Sequence, residues 1–545
     1  MRPHAGPVGG SRAWDMQLSE HDLKQLDEKT IGSLQTERLR TLSLKLLADL
    51  KEARDRLNQS PENSSRPPSS RAPWERASSD AQDDGEQEDE EPAEIDRKGE
   101  QEADRSDPST GTQDTKGVEQ KQSKPTEKSR GKPGKPKGAP GYGRTVELAV
   151  TAEQTHRPGE CALCGQSLPP DAPQQAYTGR YEIDITSPCS GAPGLELTHT
   201  LHTYVDSQCS CGHWTRAEPG RCASEEGWTV ELTEWHLVGP ALVSLICALN
   251  LRLRCSRARI REFLHDWLQV DLCTATINQC IHEAGRAAEP VVSEEIEAVV
   301  REAEQVYADE TGWKENGRPL WLWVFTCATA SLFVVGRRTQ EVVVRVLGEQ
   351  FANWLMSDGY WAYRQYDWRL RCLAHLIRKA RGLEESLEAE ANGFGKKTLE
   401  VLETLMAAVY EAREGPPEVP LRQQHATVLR EFLAFCERHA DAEHKKTREL
   451  AREFLNDWDT FWVVLDYPWL PLTNNEAERA LRHWVIARRI SYGTRTEQGS
   501  RAFALTISVI ETCRKRGVSP WPYLADVIRQ RRKGLPAPAL PQLAV

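Results

Sequence analysis

No stretch of this 545-residue sequence is apolar for long enough to cross a bilayer. The two most apolar segments, Leu237 to Leu251 and Leu320 to Gly336, fall short of the roughly 20 residues a spanning helix needs. The second is also interrupted by Thr326, Thr329 and Ser331. No membrane partner is expected. Residues Met1 to Arg12 lack the apolar centre of a secretory leader, and the 14 cysteines are scattered through a charged chain, which suits a reducing cytosol. No internal repeat is evident.

An even spread of charge is missing too. The formal net charge of -11 argues against a nucleic-acid partner only if the charge is uniform. From Asp80 to Asp107 there are 14 acidic residues against three basic ones, whereas Lys116 to Arg144 carries nine basic against two acidic. From Thr473 to Lys533 the balance is 13 basic to five acidic. Two basic segments therefore sit inside an acidic chain, and nucleic acid stays open as a partner.

A chain of this length exceeds one hydrophobic core, so several domains are expected. Residues 1–60 read as a leucine-rich helix or coiled coil, with Leu39, Leu42, Leu46, Leu50 and Leu57 at spacings of three and four. A helix packed on its own domain explains that pattern equally well. Residues 61–145, acidic and then Lys/Gly/Pro-rich, read as a disordered linker, because they cannot bury enough apolar surface to offset chain entropy. Short strand-like pieces around cysteines occupy 146–222. Residues 223–300 read as helices, with Ser256 to Trp267 and Thr274 to Ala287 suggesting a helix-turn-helix or simply two packed helices. From 301 to 383 strands alternate with helices in an α/β pattern. Residues 384–470 are a helical insertion, 471–511 carry a last polar helix, and 512–545 form a basic tail.

Three constellations carry chemistry. Cys161-Ala-Leu-Cys164 and Cys209-Ser-Cys211, each followed by a glycine, are two knuckles able to close a tetrahedral zinc site. The single residue inside the second knuckle is shorter than usual, and four buried thiols are the competing reading. Asp309 and Asp358 each follow an apolar run, where side chains from distant positions converge at strand ends, although Asp before Gly is also a common turn. In TNNEAERALR at 473–482, Thr473 and Glu476 have capping-box spacing. Glu478 instead shares an apolar stripe with Leu481 and Val485, so its inward carboxylate needs a cation, either a metal or Arg482 one turn on. Three carboxylates form an all-oxygen site suited to Mg²⁺, and such a site performs phosphoryl transfer.

The sequence resembles the transposases of the insertion sequence 66 family. The likeness rests on the leucine-rich start, NSSRPPSS at 63–70, the cysteine knuckles, ADETGW at 308–313, SDGYWAY at 357–363, CLAHLIRKA at 372–380, TNNEAERALR, and SPWPYLADVI at 519–528. The resemblance implies a multidomain α/β plus α chain: a ribonuclease-H-like catalytic domain split by a helical insertion, preceded by a zinc-finger-like domain and a helical DNA-binding region. It implies an acidic triad of Asp309, Asp358 and Glu478 that uses Mg²⁺ or Mn²⁺, and a Cys-x-x-His element on Cys372 and His375 in a supporting role. DNA is the implied partner, at transposon ends and target. A homo-oligomer forms on that DNA, small accessory proteins of the element are further partners, and the setting is a bacterial-type cytoplasm at the nucleoid. Arg479, Arg482, Arg488, Arg489, Arg495 and Arg501 are the candidate phosphate contacts. The long acidic tract is a departure. Two other readings remain: a DNA-binding regulator that no longer catalyses, and a carboxylate-pair glycosidase, which needs no basic clamp.

Overall fold

A computed structural model describes residues 36–57, 149–187, 194–223 and 227–543. The acidic run and the Lys/Gly/Pro segment lie outside the described residues. Leucine spacing does produce a helix, Thr36–Leu57. Leu39, Leu46 and Leu50 on it are exposed, and Lys51 pairs with Glu388 at 2.9 Å.

The cysteine-bearing segment is a small sheet. Strands β1 (Ala152–His156), β2 (Gln174–Thr186), β3 (Glu196–Gln208) and β4 (Trp214–Arg216) are ordered β1-β3-β2, with β4 on the other end of β3. Helices follow, as the composition predicts. The helix Arg257–Leu268 is capped by the Ser256 hydroxyl and ends at Gln269 in the left-handed region. Its successor Thr274–Pro290 is largely core: Ile277, Cys280, Ile281 and Ala284 through Ala288 are buried. A side chain at Gly285 would collide with the Ala502 backbone, so two helices cross there in direct contact. Packing accounts for most of this second helix, whose exposed residues are Thr274, Ala275 and Gln279.

The central sheet has five strands: β5 (Gln305–Glu315), β6 (Arg318–Thr326), β7 (Ser331–Gly336), β8 (Trp354–Ser357) and β9 (Arg369–Arg371). Their order is β7-β6-β5-β8-β9. The first three form antiparallel hairpins, and β8 and β9 run parallel to β5. A turn at Asn316 and Gly317, both at positive φ, joins β5 to β6, which is the backbone a two-residue hairpin turn demands. Val306, Ala308, Leu322, Val324 and Phe325 join one large core with the surrounding helices. A second core holds Met356 and Leu370 together with the insertion helices Ala389–Glu414, Ala426–His439 and Lys445–Asn456. The insertion is therefore helical where the sequence lacks strand signals.

The C-terminal segment differs from a basic tail. Residues Pro520–Arg532 are a helix that buries Leu524, Val527 and Ile528, and Arg532 inserts into the core to pair with Glu283 at 2.7 Å. Its charge counts as basic in the sequence but is spent on a buried partner. Among the described residues no helix is long and apolar enough to cross a membrane.

Candidate catalytic and metal sites

Strand β5 presents two faces. Val306, Ala308 and Glu310 point to the buried side, and Tyr307, Asp309 and Thr311 share the other. The helix Asn475–Ser491 is fastened along that second face at both ends. Near its start, the fully buried Asn474 donates from Nδ2 to the Ala308 carbonyl at 2.8 Å. Near its end, Arg488 donates to Thr311 Oγ1 at 2.9 Å and to the Gly312 carbonyl. Glu478 lies one turn into that helix, near enough for its charge to act on Asp309.

Asp309 lies in the middle of β5, not at its end as the sequence suggests, because the hairpin with β6 extends the strand to Glu315. Asp358 does follow a strand end directly. Its Oδ1 accepts from the Tyr360 N–H at 2.9 Å, and Gly359 is required because an added Cβ would collide with the Arg371 guanidinium. Burial, reinforced by Asp358, Glu310 and Glu478, pushes the Asp309 carboxyl well above the usual range. Neighbouring like charges disfavour its ionised form.

Glu478 departs from two expectations. Its partner is Arg378, at 3.0 Å from Oε1, and not Arg482, which is exposed. The capping box does not form either: the helix begins at Asn475, its cap residue Asn474 makes no side-chain cap bond, and Glu476 turns to Arg479 at 3.0 Å and Lys515 at 3.3 Å. Glu476 is a half-exposed ion-pairing residue, bonded to Lys515 of the following helix and not to the local cap.

Glu310 adds a fourth carboxylate that sequence reading missed. Arg338 binds it at 2.7 Å and the Tyr363 hydroxyl donates at 2.8 Å. Burial and the Asp358 charge still raise it to about 7. Arg338 is itself seated over Trp321 and Tyr360, with ring centroids 4.5 and 4.0 Å away. Adjacency to Asp309 in ADET was the only hint of Glu310. Arg338 and Arg378 gave none, because their partners are 28 and 100 residues away in sequence.

Cys372 and His375 stand beside this centre. The Cys372 sulfur accepts the Asn474 N–H at 3.2 Å, and burial pushes its thiol up to about 11. Burial, with Arg378, Lys379 and Arg371 nearby, pulls His375 down to about 3, so its ring is neutral. Among the described residues, two groups bring three or more ligand atoms within 4.8 Å of one another: Cys372 with His375 and Glu478, and the four knuckle cysteines. The three carboxylates are not such a group, and Glu478 is paired with Arg378. They are coupled through charge. An all-oxygen set in which the Asp358 and Glu478 charges disfavour ionisation of Asp309 still fits a hard divalent cation, because a cation would offset that repulsion.

The knuckles are more closed. Cys161 and Cys211 sulfurs lie 3.7 Å apart, and Cys164 and Cys209 3.6 Å. A tetrahedron with zinc–sulfur bonds of about 2.3 Å has edges of about 3.75 Å, so the four thiols are spaced for zinc. Gly165 and Gly212, at φ 70 and 88, close the two tight turns. Backbone N–H of Cys164 holds the Cys161 thiol down to about 6, which favours the thiolate. The short second knuckle is thus no obstacle.

The six candidate arginines divide. Arg501 stacks over Trp228 and pairs with Glu289, and Arg488 fastens the helix, so both have structural roles. Arg479 is paired with Glu476 but exposed. Arg482, Arg489 and Arg495 are exposed and make no ion pair among the described residues.

Residues 236–502 match the family described as Transposase IS66 family. Those residues form an IS66-family transposase domain. The IS66 match spans all three carboxylates with Cys372 and His375, and begins after the knuckles. Similar proteins include three uncharacterized proteins of Sinorhizobium fredii. The protein y4jO is 38% identical over 86 residues, covering 16% of this chain and 25% of that protein. The protein y4qI is 26% identical over 271 residues, covering 44% and 50%. The protein y4hP is 38% identical over 74 residues, covering 14% and 13%. The chain therefore spans half or less of the length of these relatives.

Asp309 and Glu310 both titrate higher folded than unfolded. The folded protein keeps protons that the unfolded chain has released, so stability is full below the unfolded values and lost as pH rises through the folded ones. For Glu310 that window runs from its ordinary value of 4.5 to about 7. Melting of the metal-free protein should therefore drop from about pH 5 to about pH 8, and Asp309→Asn should flatten the drop. An unchanged slope in the variant would contradict the charge cluster.

Proposed function

We propose that this IS66-family chain is a DNA transposase that cleaves transposon ends and transfers the freed strand to target DNA, with Asp309, Asp358 and Glu478 as its catalytic carboxylates. The observation that carries the reading is the charge convergence on Asp309, from two strands and a helix contributed by distant parts of the sequence. A mixed sheet with one aspartate in its central strand, a second after the neighbouring strand, and a glutamate on a helix beyond the insertion supports the ribonuclease-H-like assignment.

Mg²⁺ or Mn²⁺ held by the three carboxylates would supply activation of a water or 3′-hydroxyl and charge stabilisation at the leaving oxygen. The residues do the rest. Asp309, raised by burial first and by its carboxylate neighbours second, would hold that cation as the ionised carboxylate. Asn474 fixes the Glu478 helix to β5 and to Cys372, and Arg378 orients Glu478 through Oε1. Arg338, half-exposed beside Asp358, and the unpaired Arg482, Arg489 and Arg495 are positioned to hold phosphates. Cys372 and His375, one tied to the helix start and the other neutral, act as supports. Zinc in the four knuckle thiols would brace a finger-like domain on β1–β4. The exposed leucines of Thr36–Leu57 support self-association on DNA, and the acidic linker remains without a role. A cytoplasmic, nucleoid-associated protein follows from DNA as substrate.

Asp309→Asn, Asp358→Asn and Glu478→Gln keep side-chain size and remove charge. Each should fold, bind DNA and lose strand cleavage by several orders of magnitude in magnesium, as gel assays on a pre-formed transposon-end duplex would measure. Glu476→Gln, which loses only exposed ion pairs worth about 0 to 1 kcal/mol, should remain active. Near-normal cleavage by a triad variant, or loss of activity in Glu476→Gln alone, would refute the assignment. Independently, the full chain purified without chelator should contain about one zinc, and Cys161→Ser with Cys211→Ser should release it. Zinc content unchanged by that pair would exclude the knuckle site.

A further inference from the structure

One residue of the Glu478 helix has no structural account. The helix ends at Tyr492, whose backbone takes φ 59 in the left-handed region, the position that glycine or asparagine usually fills. Its N–H closes the helix by donating to the Arg488 carbonyl at 2.8 Å, a bond any residue could make. Its ring is 75% exposed and makes no hydrogen bond or ring contact among the described residues. The loop around it, by contrast, is fixed. Gly493 lies so close to β5 that a side chain would collide with the Lys314 carbonyl. The Thr494 N–H donates to Lys314 O at 2.9 Å, and Asn316 N–H donates back to Thr494 O at 2.8 Å. Trp313 Nε1 and Ser500 Oγ both reach Thr494 Oγ1, at 3.1 and 2.7 Å. A rigid loop thus holds a strained, exposed aromatic, with exposed Ile490 beside it and the unpaired Arg489 and Arg495 on either side.

Aromatic rings between phosphate-binding arginines suit one chemistry, stacking on a nucleobase whose backbone the arginines hold. We propose that Tyr492 is a base-stacking wedge: it stacks on DNA bases at an opened or kinked step and so selects DNA that is easily unstacked. This rests on the transposase reading above. Tyr492 lies 14 residues beyond Glu478, about 21 Å along a helix, so the step it engages is several base pairs from the reacting phosphate. Backbone strain is tolerated because a rigid ring loses little freedom on binding, whereas glycine would relieve the strain and remove the stack.

The test compares two 30-base-pair duplexes of arbitrary sequence, one fully paired and one with a central mismatch flanked by 2-aminopurine. Full-length protein binding is followed by anisotropy and by 2-aminopurine fluorescence. Wild type should prefer the mismatched duplex by about tenfold, a typical stacking contribution, and change the 2-aminopurine signal. Tyr492→Ala should lose that preference and signal while keeping its affinity for the paired duplex and the same salt dependence. Tyr492→Phe should retain both. A wild type that binds duplex DNA without preference, or a Tyr492→Ala that keeps the preference, overturns the wedge and leaves the transposase reading standing. Failure of wild type to bind either duplex also overturns the wedge, whereas the transposase reading falls only with loss of cleavage on the transposon-end duplex. Because Tyr492 is exposed, its alanine variant should fold, and an unchanged melting temperature verifies that.

Discussion

Repulsion among carboxylates is the constraint around which the rest of this protein is arranged. Asp309 with its neighbour Glu310, Asp358 and Glu478 come from three places in the chain, and burial together with the other three carboxylates raises the cost of ionising Asp309. An arrangement of this kind needs external fastening, because the charges themselves push it apart. That fastening is visible: Asn474 and Arg488 at two ends of one helix, Arg378 on Glu478, and Arg338 with Tyr363 on Glu310. Each is a donor placed against an acceptor that would otherwise move away.

The insertion takes part in the same design. Arg371, at the end of β9, is buried between Asp457 and Glu453 of the insertion, and Lys379 also pairs with Glu453 at 2.6 Å. This network sits directly behind Gly359, so the turn that carries Asp358 is braced by helices more than 80 residues downstream. Truncating such a pair strands a buried charge, which is costly, and the insertion is thereby tied to the aspartate's position. The second core around Phe432, Phe454 and Trp462 gives that brace its rigidity.

Local patterns in the sequence located the secondary structure well. β-branched and aromatic runs marked β5 to β7, and the strand-free stretch after 384 marked the insertion, because these signals are set by neighbouring residues. Cys161, Cys164, Cys209 and Cys211 were also legible, since a thiolate pair on a tight turn is a local motif. What stayed hidden depends on distance. Thr473 and Glu476 had capping-box spacing, yet Lys515 claims Glu476. Arg482 had ion-pair spacing, yet Arg378 from another helix claims Glu478. Asp309 read as a strand end because the hairpin that extends its strand is completed only by pairing with β6. Basic residues near the C-terminus looked like a DNA-binding tail, and burial of Arg532 against Glu283 could not be inferred from charge counts.

The central claim is that the carboxylates form a cation site held partly protonated until a cation arrives. Calorimetric titration of Mn²⁺ into the metal-free full chain near pH 7, repeated in buffers of different ionisation enthalpy, counts the protons released on binding. The account predicts saturable binding with net proton release, and a smaller release from Asp309→Asn. Binding without proton release, or equal release from the variant, would contradict it.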